Sequence, residues 1–277
     1  MIAAIETPVS AIVTNVHLME MIKAAGAAGE PIPSSANLAL LNTLFNTMQS
    51  AITGGAAFRD VYALIINFAT DIPYSGGNDL GFDGRHGNDP YKLKAVKNNG
   101  GTLSKTVKHG YQTDGTACIL LNYIPNNEII TTTRDVAILT AWSDIVNTNL
   151  NHGSGGVGMS HRTGNTNIGH ELFSSLNVDT TRTGNRIFYS ERNGSELVLY
   201  VNNVAESYQN PLGPSGSKSI HSLRSLTRTD AVGGPDNSWF LNPTTKERMK
   251  IVLKRANINR TTLYNGVNTY LTGVAAL

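Results

Sequence analysis

The 277-residue chain has one cysteine, Cys118, so no internal disulfide can form. Cys118 sits in the apolar run Ala117–Leu121 with no cationic neighbour in sequence, which argues for a buried thiol rather than a catalytic thiolate. Charged residues make up only 15% of the chain, and 22 basic against 20 acidic residues leave a net charge of +2. That balance excludes a partner held mainly by charge, such as duplex DNA or an anionic membrane. No apolar run approaches the length that spans a bilayer. Residues Met1–Pro8 lack the basic start of a signal peptide, and Glu6 interrupts their apolar stretch, so synthesis and folding in a cytoplasm are expected.

Motifs for chemistry are also scarce. Gly153-Ser154-Gly155-Gly156-Val157-Gly158 matches a dinucleotide fingerprint, but no strand precedes it and no helix follows, as pyrophosphate binding requires. His152, His161 and His170 share a Gly/Asn-rich stretch with Glu171, without an HxH or HExxH spacing, and no metal or other cofactor is expected. Glycoside hydrolysis needs two carboxylates facing one bond. The nearest pair, Glu191 and Glu196, flanks a turn, and the residues therefore predict a chain that is not an enzyme.

What the chain has in abundance is Gly, Asn, Ser and Thr, a weakly charged polar surface that suits a particle component or an extracellular binder. Helical signals lie at the two ends. Thr7-Pro8 starts a helix with Ile12, Val16, Met19 and Ile22 on one stripe, leaving Val9, Val13 and Leu18 off it. Ser34-Ser35 caps a second, whose stripe is Leu38, Leu41, Leu44, Phe45 and Met48. Asn259 caps a third, with Leu263, Val267, Tyr270 and Leu271 on one face. The stripe Leu38, Leu41, Leu44, Phe45 and Met48 can pack on the chain's own sandwich or against a sister chain or partner protein, and the excess of apolar surface at the N-terminus predicts the second.

Between these ends the texture is β. Val61–Ile66 reads as a buried strand, Asp71–Pro90 as a long loop, and about ten short segments with Gly/Asn turns follow, down to Met249–Lys254. In Arg186–Val201, a turn centred on Asn193-Gly194 pairs Phe188 with Leu199 and Tyr189 with Val198. It also opposes Glu191 to Glu196, a like-charge clash. Trp142 lies in the strand-like Val136–Trp142 and is expected to pack in a sheet. Trp239, after Gly233–Asn237, is expected in a loop and is the candidate for stacking on a ligand.

Gly110–Thr116, then a strand, then Tyr123-Ile124-Pro125-Asn126, resembles an element of concanavalin A-like domains in virion proteins of tailed phages, notably those of Bacteroidetes-type hosts. Asn37–Met48 followed by Phe58–Leu64 resembles that family's helix–linker–strand entrance. Arg186–Asn203 resembles its hairpin, and Asn259–Leu271 its closing helix. The long loop and an insert at Gln209–Ser217 depart from the pattern. The resemblance implies a mainly β, concanavalin A-like jelly-roll sandwich at residues 58–277, with a helical assembly segment at 1–57 and a C-terminal helix. It implies a head fibre, capsid decoration or tail appendage on a virion. Its partners would be copies of itself (a trimer, for a fibre), other virion proteins and host-surface glycan, with neither nucleic acid nor membrane. A stand-alone carbohydrate-binding module and a glycan-cleaving depolymerase are the alternative readings.

Overall fold

Asn15 begins the first well-formed helix. Its side-chain Oδ1 accepts from the backbone N–H groups of His17 and Leu18, at 3.1 and 3.2 Å, and helix α1 runs Val16–Ala27. The sequence pattern predicts one continuous helix from Thr7-Pro8, but the backbone leaves helical geometry at residues 13–15. That break re-phases the apolar face, so Val9, Val13, Leu18 and Ile22 are buried while Val16 is exposed. Helix α2 (Ser35–Ser50) is capped by Ser34, as expected, and holds the start of α1 through Asn42 and Asn46. A helical turn, α3 (Phe58–Val61), leads into the sheet, and α4 (Arg260–Ala276) closes the chain under an Asn259 cap, whose Oδ1 accepts from Thr262 N–H at 3.1 Å.

The computed structural model describes residues 9, 11–27, 29–72, 82–83, 94–97, 102–113, 117–120, 136–145, 150–154, 157–161, 167–172, 175–179, 184–193, 196–209, 224–225, 227–229, 235–240 and 246–277. Its strands are β1 (Tyr62–Asn67), β2 (Phe82–Asp83), β3 (Lys94–Lys97), β4 (Leu103–Thr106), β5 (Gly110–Thr113), β6 (Ala117–Leu120), β7 (Val136–Ile145), β8 (Leu150–Ser154) and β9 (Val157–His161). Then follow β10 (Asn167–Leu172), β11 (Ser175–Asp179), β12 (Gly184–Asn193), β13 (Glu196–Val201), β14 (Val204–Gln209), β15 (Arg224–Ser225), β16 (Thr227–Thr229), β17 (Pro235–Phe240) and β18 (Lys246–Lys254). The protein is thus mainly β, with antiparallel sheets and helices at its two ends.

The larger sheet has the order β14-β13-β12-β7-β18-β1-β2, with β5 also pairing β18 and β4 pairing β5. A second sheet runs β11-β10-β9-β8-β15-β6-β3, and β16 pairs β17 in a ribbon. Register across the larger sheet is Ile65–Ile251–Leu139–Tyr189–Tyr200. Side chains alternate between faces. That row belongs to the core shared with Leu18, Leu38, Leu41, Phe45, Leu263, Val267 and Tyr270 of the helices. The next row, Ile66–Lys250–Thr140–Phe188–Val201, lies on the other face, where Lys250, Thr140 and Phe188 are also buried.

Two sequence expectations change here. The stripe Leu38, Leu41, Leu44, Phe45 and Met48 is at most 3% exposed and packs inside its own chain, against the sheet and α4. Among the described residues the α2 stripe is therefore covered within the chain, in a core that runs on across residue 57. The hairpin pairs Phe188 with Val201, Tyr189 with Tyr200 and Asn193 with Glu196, two residues from the predicted register. That shift keeps every side chain on its face and separates Glu191 from Glu196. Glu191 instead lies opposite Val198 and 3.5 Å from Arg255 Nε. The tip, Gly194-Ser195, lies outside the described residues, as does most of Asp71–Pro90.

No helix among the described residues is long and apolar enough to cross a membrane.

Candidate functional site

Two β-bulges flank Trp142. On β18 the register passes from Glu247, opposite Trp142, to Met249, opposite Ala141, and leaves Arg248 as the extra residue. Between β12 and β7 it passes from Gly184, opposite Ile145, to Arg186, opposite Trp142, so the extra residue falls on β7, where Asp144 takes a φ of 55°. Bulges bend a strand and re-aim its side chains. Here they turn Arg248 toward α4 and bring Asn185 and Arg186 to the same end of the sheet. The adjoining β13–β14 turn uses Asn202 and Asn203 at φ 48° and 69°, a left-handed conformation that Asn tolerates. Asn202 closes on Ile187 both ways, its N–H donating to the Ile187 carbonyl at 2.8 Å and its Oδ1 accepting from Ile187 N–H at 3.0 Å.

Together these features shape a cleft of about 160 Å³ between the sheet end and α4. Trp142 lines it at the sheet end, with its ring, 1% exposed, packed on Phe188 at 5.4 Å between centroids on the face away from the helices. Arg186, Arg248 and Asn185 border it from the strands, and Tyr264, Asn268 and Thr272 from α4. These last three fall on one side of the helix by their i, i+4 and i+8 spacing.

Arg248 is the least ordinary of these groups. It is only 7% exposed, and its Nη2 donates to the Leu271 carbonyl at 2.7 Å, while its Nε finds no acceptor among the described residues. Burial pulls the guanidinium below its usual pKa, opposed by Tyr270 and Asp144, yet an arginine stays charged. A buried guanidinium with unused donors is costly unless something else accepts from them. Arg186 donates from Nη1 to the Asn185 carbonyl at 2.8 Å. Among the described residues no carboxylate borders the cleft; the nearby Asp144 is held by Lys246 Nζ at 2.5 Å. The cleft is thus bordered by two arginines, amides and hydroxyls, groups that can donate to and accept from a small polar ligand.

Other charged clusters pair within themselves. Arg260 stacks over the Tyr200 ring at 3.6 Å and donates to Asn203, and Arg255 pairs with Glu191, which ties the β12–β14 hairpins to the start of α4. Lys250 and Glu247 form a buried pair at 3.1 Å on the face away from the helices.

The sequence candidates fall elsewhere. Trp239, expected in a loop, lies in β17 of the ribbon, and its side chain is outside the described residues. The dinucleotide-like glycines belong to the β8–β9 hairpin, where Ser154 pairs with Val157. His152 and His170 both register with Met159, and His161 lies two residues further along β9. Among the described residues no group of three His, Cys, Asp or Glu side chains could hold a metal ion. Sequence reading missed Arg186, Arg248 and the α4 polar residues, because strand β18 reads as a simple alternation from Met249 and the bulge before it has no composition signal.

No protein-family model matches the chain, and a search of curated proteins finds no match. Among solved structures the chain resembles Trypanosoma rangeli sialidase in complex with sialic acid, at 8% identity and a TM-score of 0.52 over 86% of this chain. The match spans 38% of the sialidase chain. Domain 4 of AbnA, a GH43 extracellular arabinanase from Geobacillus stearothermophilus in complex with arabinotriose, matches at 10% identity and a TM-score of 0.47, over 74% of this chain and 97% of that one. The botulinum neurotoxin serotype D binding domain matches at 12% identity and 0.44, over 78% and 52%. Only the sialidase likeness is close enough to define a fold, the β architecture of a part of that protein. A glycan-cleaving enzyme carries that fold, so the expectation that this chain is not an enzyme does not stand.

Proposed function

We propose that the protein is a lectin-like module that attaches to glycans, with the Arg186/Arg248 cleft as its sugar site on a jelly-roll sandwich. The observation that carries this reading is that Asn185, Asn268, Thr272 and two arginines, Arg186 and Arg248, line one cleft. Sugar hydroxyls need both donors and acceptors, and amide and hydroxyl side chains supply both. The cleft is smaller than a drug-sized pocket, about 300 Å³ and upward, and suits one terminal sugar unit. The shared fold with a sialidase supports a glycan-related role.

The virion setting rests on the sequence resemblance. In that setting the module sits on a phage head fibre, capsid decoration or tail appendage, as a symmetric oligomer with other virion proteins as neighbours. Closed symmetry would multiply a weak site into useful avidity.

Asn268 and Thr272 are exposed on α4, so replacing both by Ala leaves the core intact. On a glycan array the native chain is expected to retain a subset of sugars and the N268A/T272A variant to lose them. Equal retention by both would place any sugar site elsewhere. Sedimentation of the purified chain and mass spectrometry of particles test the oligomer and its setting.

A further inference from the structure

We infer that the cleft selects a sugar carrying a negative charge, a carboxylate on the ring, over its neutral counterpart; this rests on the glycan reading above. The argument is one of charge. Arg248 is more than nine-tenths buried, makes one side-chain hydrogen bond to the Leu271 carbonyl, and borders the cleft with an Nε lacking an acceptor among the described residues. Arg186 borders the same space from β12, opposite Trp142, with Nη1 committed to a backbone carbonyl of its own strand. Among the described residues no Asp or Glu borders the space to neutralise them. Asp144, the acidic group that Arg248 feels, is more than half exposed and paired with Lys246.

A neutral sugar would leave this local excess of positive charge uncompensated. A carboxylate accepts from guanidinium N–H groups in a planar, two-point geometry, and such charge-assisted bonds are about twice as strong as neutral ones. The small volume favours a single acidic ring, with Asn268 and Thr272 left to meet its hydroxyls. Lysines would not serve as well, because the fork of a guanidinium holds a planar anion in one orientation.

The test compares tri-galacturonate with galactotriose, by chemical-shift perturbation of the full chain at low and at moderate salt. The expected result is saturable binding of the acidic trimer at least about tenfold tighter than the neutral one, with shifts centred on Arg186, Asn268 and Thr272. Arg186→Gln should cut that preference at least about tenfold. Arg186 is half-buried at a strand end, and this change spares the packed Arg248. Arg248→Lys, which keeps charge but loses the fork, should weaken the acidic trimer selectively. Arg59→Gln, which removes a cation paired with Glu20 far from the cleft, should change nothing. Equal affinity for both trimers would overturn the charge inference while leaving a glycan site in place. Binding of galacturonate and of inorganic sulfate alike, without shifts at Asn268 and Thr272, would mean an anion site that does not read sugar. No binding of either trimer or of any arrayed glycan would overturn the glycan reading, and this inference with it.

Discussion

Tyr270 locks α2, α4 and β1 together through one hydroxyl. Its O–H donates to the Ala69 carbonyl at 2.9 Å and accepts from Asn67 Nδ2 at 2.6 Å and Asn37 Nδ2 at 3.2 Å. Tyr270 is 1% exposed and Asn37 and Asn67 are no more so, which leaves no water to replace a lost partner. Burial pushes the phenol well above its ordinary pKa, while the two amides stabilise its ionised form less than burial opposes it. Tyr270→Phe keeps the ring and removes three bonds, each worth about 0.5–1.5 kcal/mol net, and strands two amide donors and a carbonyl. A loss of about 3 kcal/mol follows, roughly a hundredfold in the folding constant. Urea unfolding followed by tryptophan fluorescence should show a lower midpoint with an unchanged slope, since the area exposed on unfolding is the same. Tyr264→Phe, half-buried on the same helix, is the control and should move the midpoint little. A Tyr270→Phe midpoint within experimental error of native would refute the lock.

Gly110 sits at φ +106°, and a Cβ there would fall 2.1 Å from the Glu247 carbonyl oxygen, so Gly110→Ala should cost at least about 3 kcal/mol by thermal melting. Lys250→Met strands Glu247 in the core and should cost about 3–5 kcal/mol, whereas Lys250→Met with Glu247→Leu should recover most of it. If the double variant is no better than the single one, the pair is not what the loss measures. His17 stacks on Phe58 at 4.2 Å, and burial lowers its pKa despite Glu20. Its neutral form is the one favoured by folding, so its contribution is present above the ordinary imidazole pKa of about 6.5 and fades as pH falls through the lower folded value. A His17→Phe variant should lose less stability than native between pH 7 and 5. Deleting residues 1–55 removes α1 and α2 from a core shared with Leu139 and Ile251, and the remainder should bind a hydrophobic dye and melt without cooperativity. A sharp melting transition would show that the sheet stands alone.

The Ser34 and Asn259 caps, the α2 and α4 stripes and most of the strands were legible in the sequence. Each depends on residues within a few positions of one another: a side chain reaching its own backbone, or apolar residues recurring at 3.6 or 2. The helix break before Val16 was not, because Asn42 and Asn46 of another helix hold it. The hairpin register shows the same limit. An Asn-Gly pair marks a turn, but the observed pairing keeps the same faces while removing a Glu–Glu clash, and the partner that takes up Glu191 is Arg255, 64 positions away. What covers the α2 stripe was likewise undecided, since a periodic apolar face does not say whether its own sheet or a second chain lies against it. The cleft was least legible of all. Its residues come from β7, β12, the β13–β14 turn, β18 and α4, and each alone is an unremarkable Arg, Asn or Thr. By itself the sequence determined which segments are helix or strand and which faces are apolar, because those follow from short-range geometry. Only the tertiary structure decided that two bulges beside Trp142 bring Arg186 and Arg248 together, because that placement depends on contacts between residues far apart in the chain.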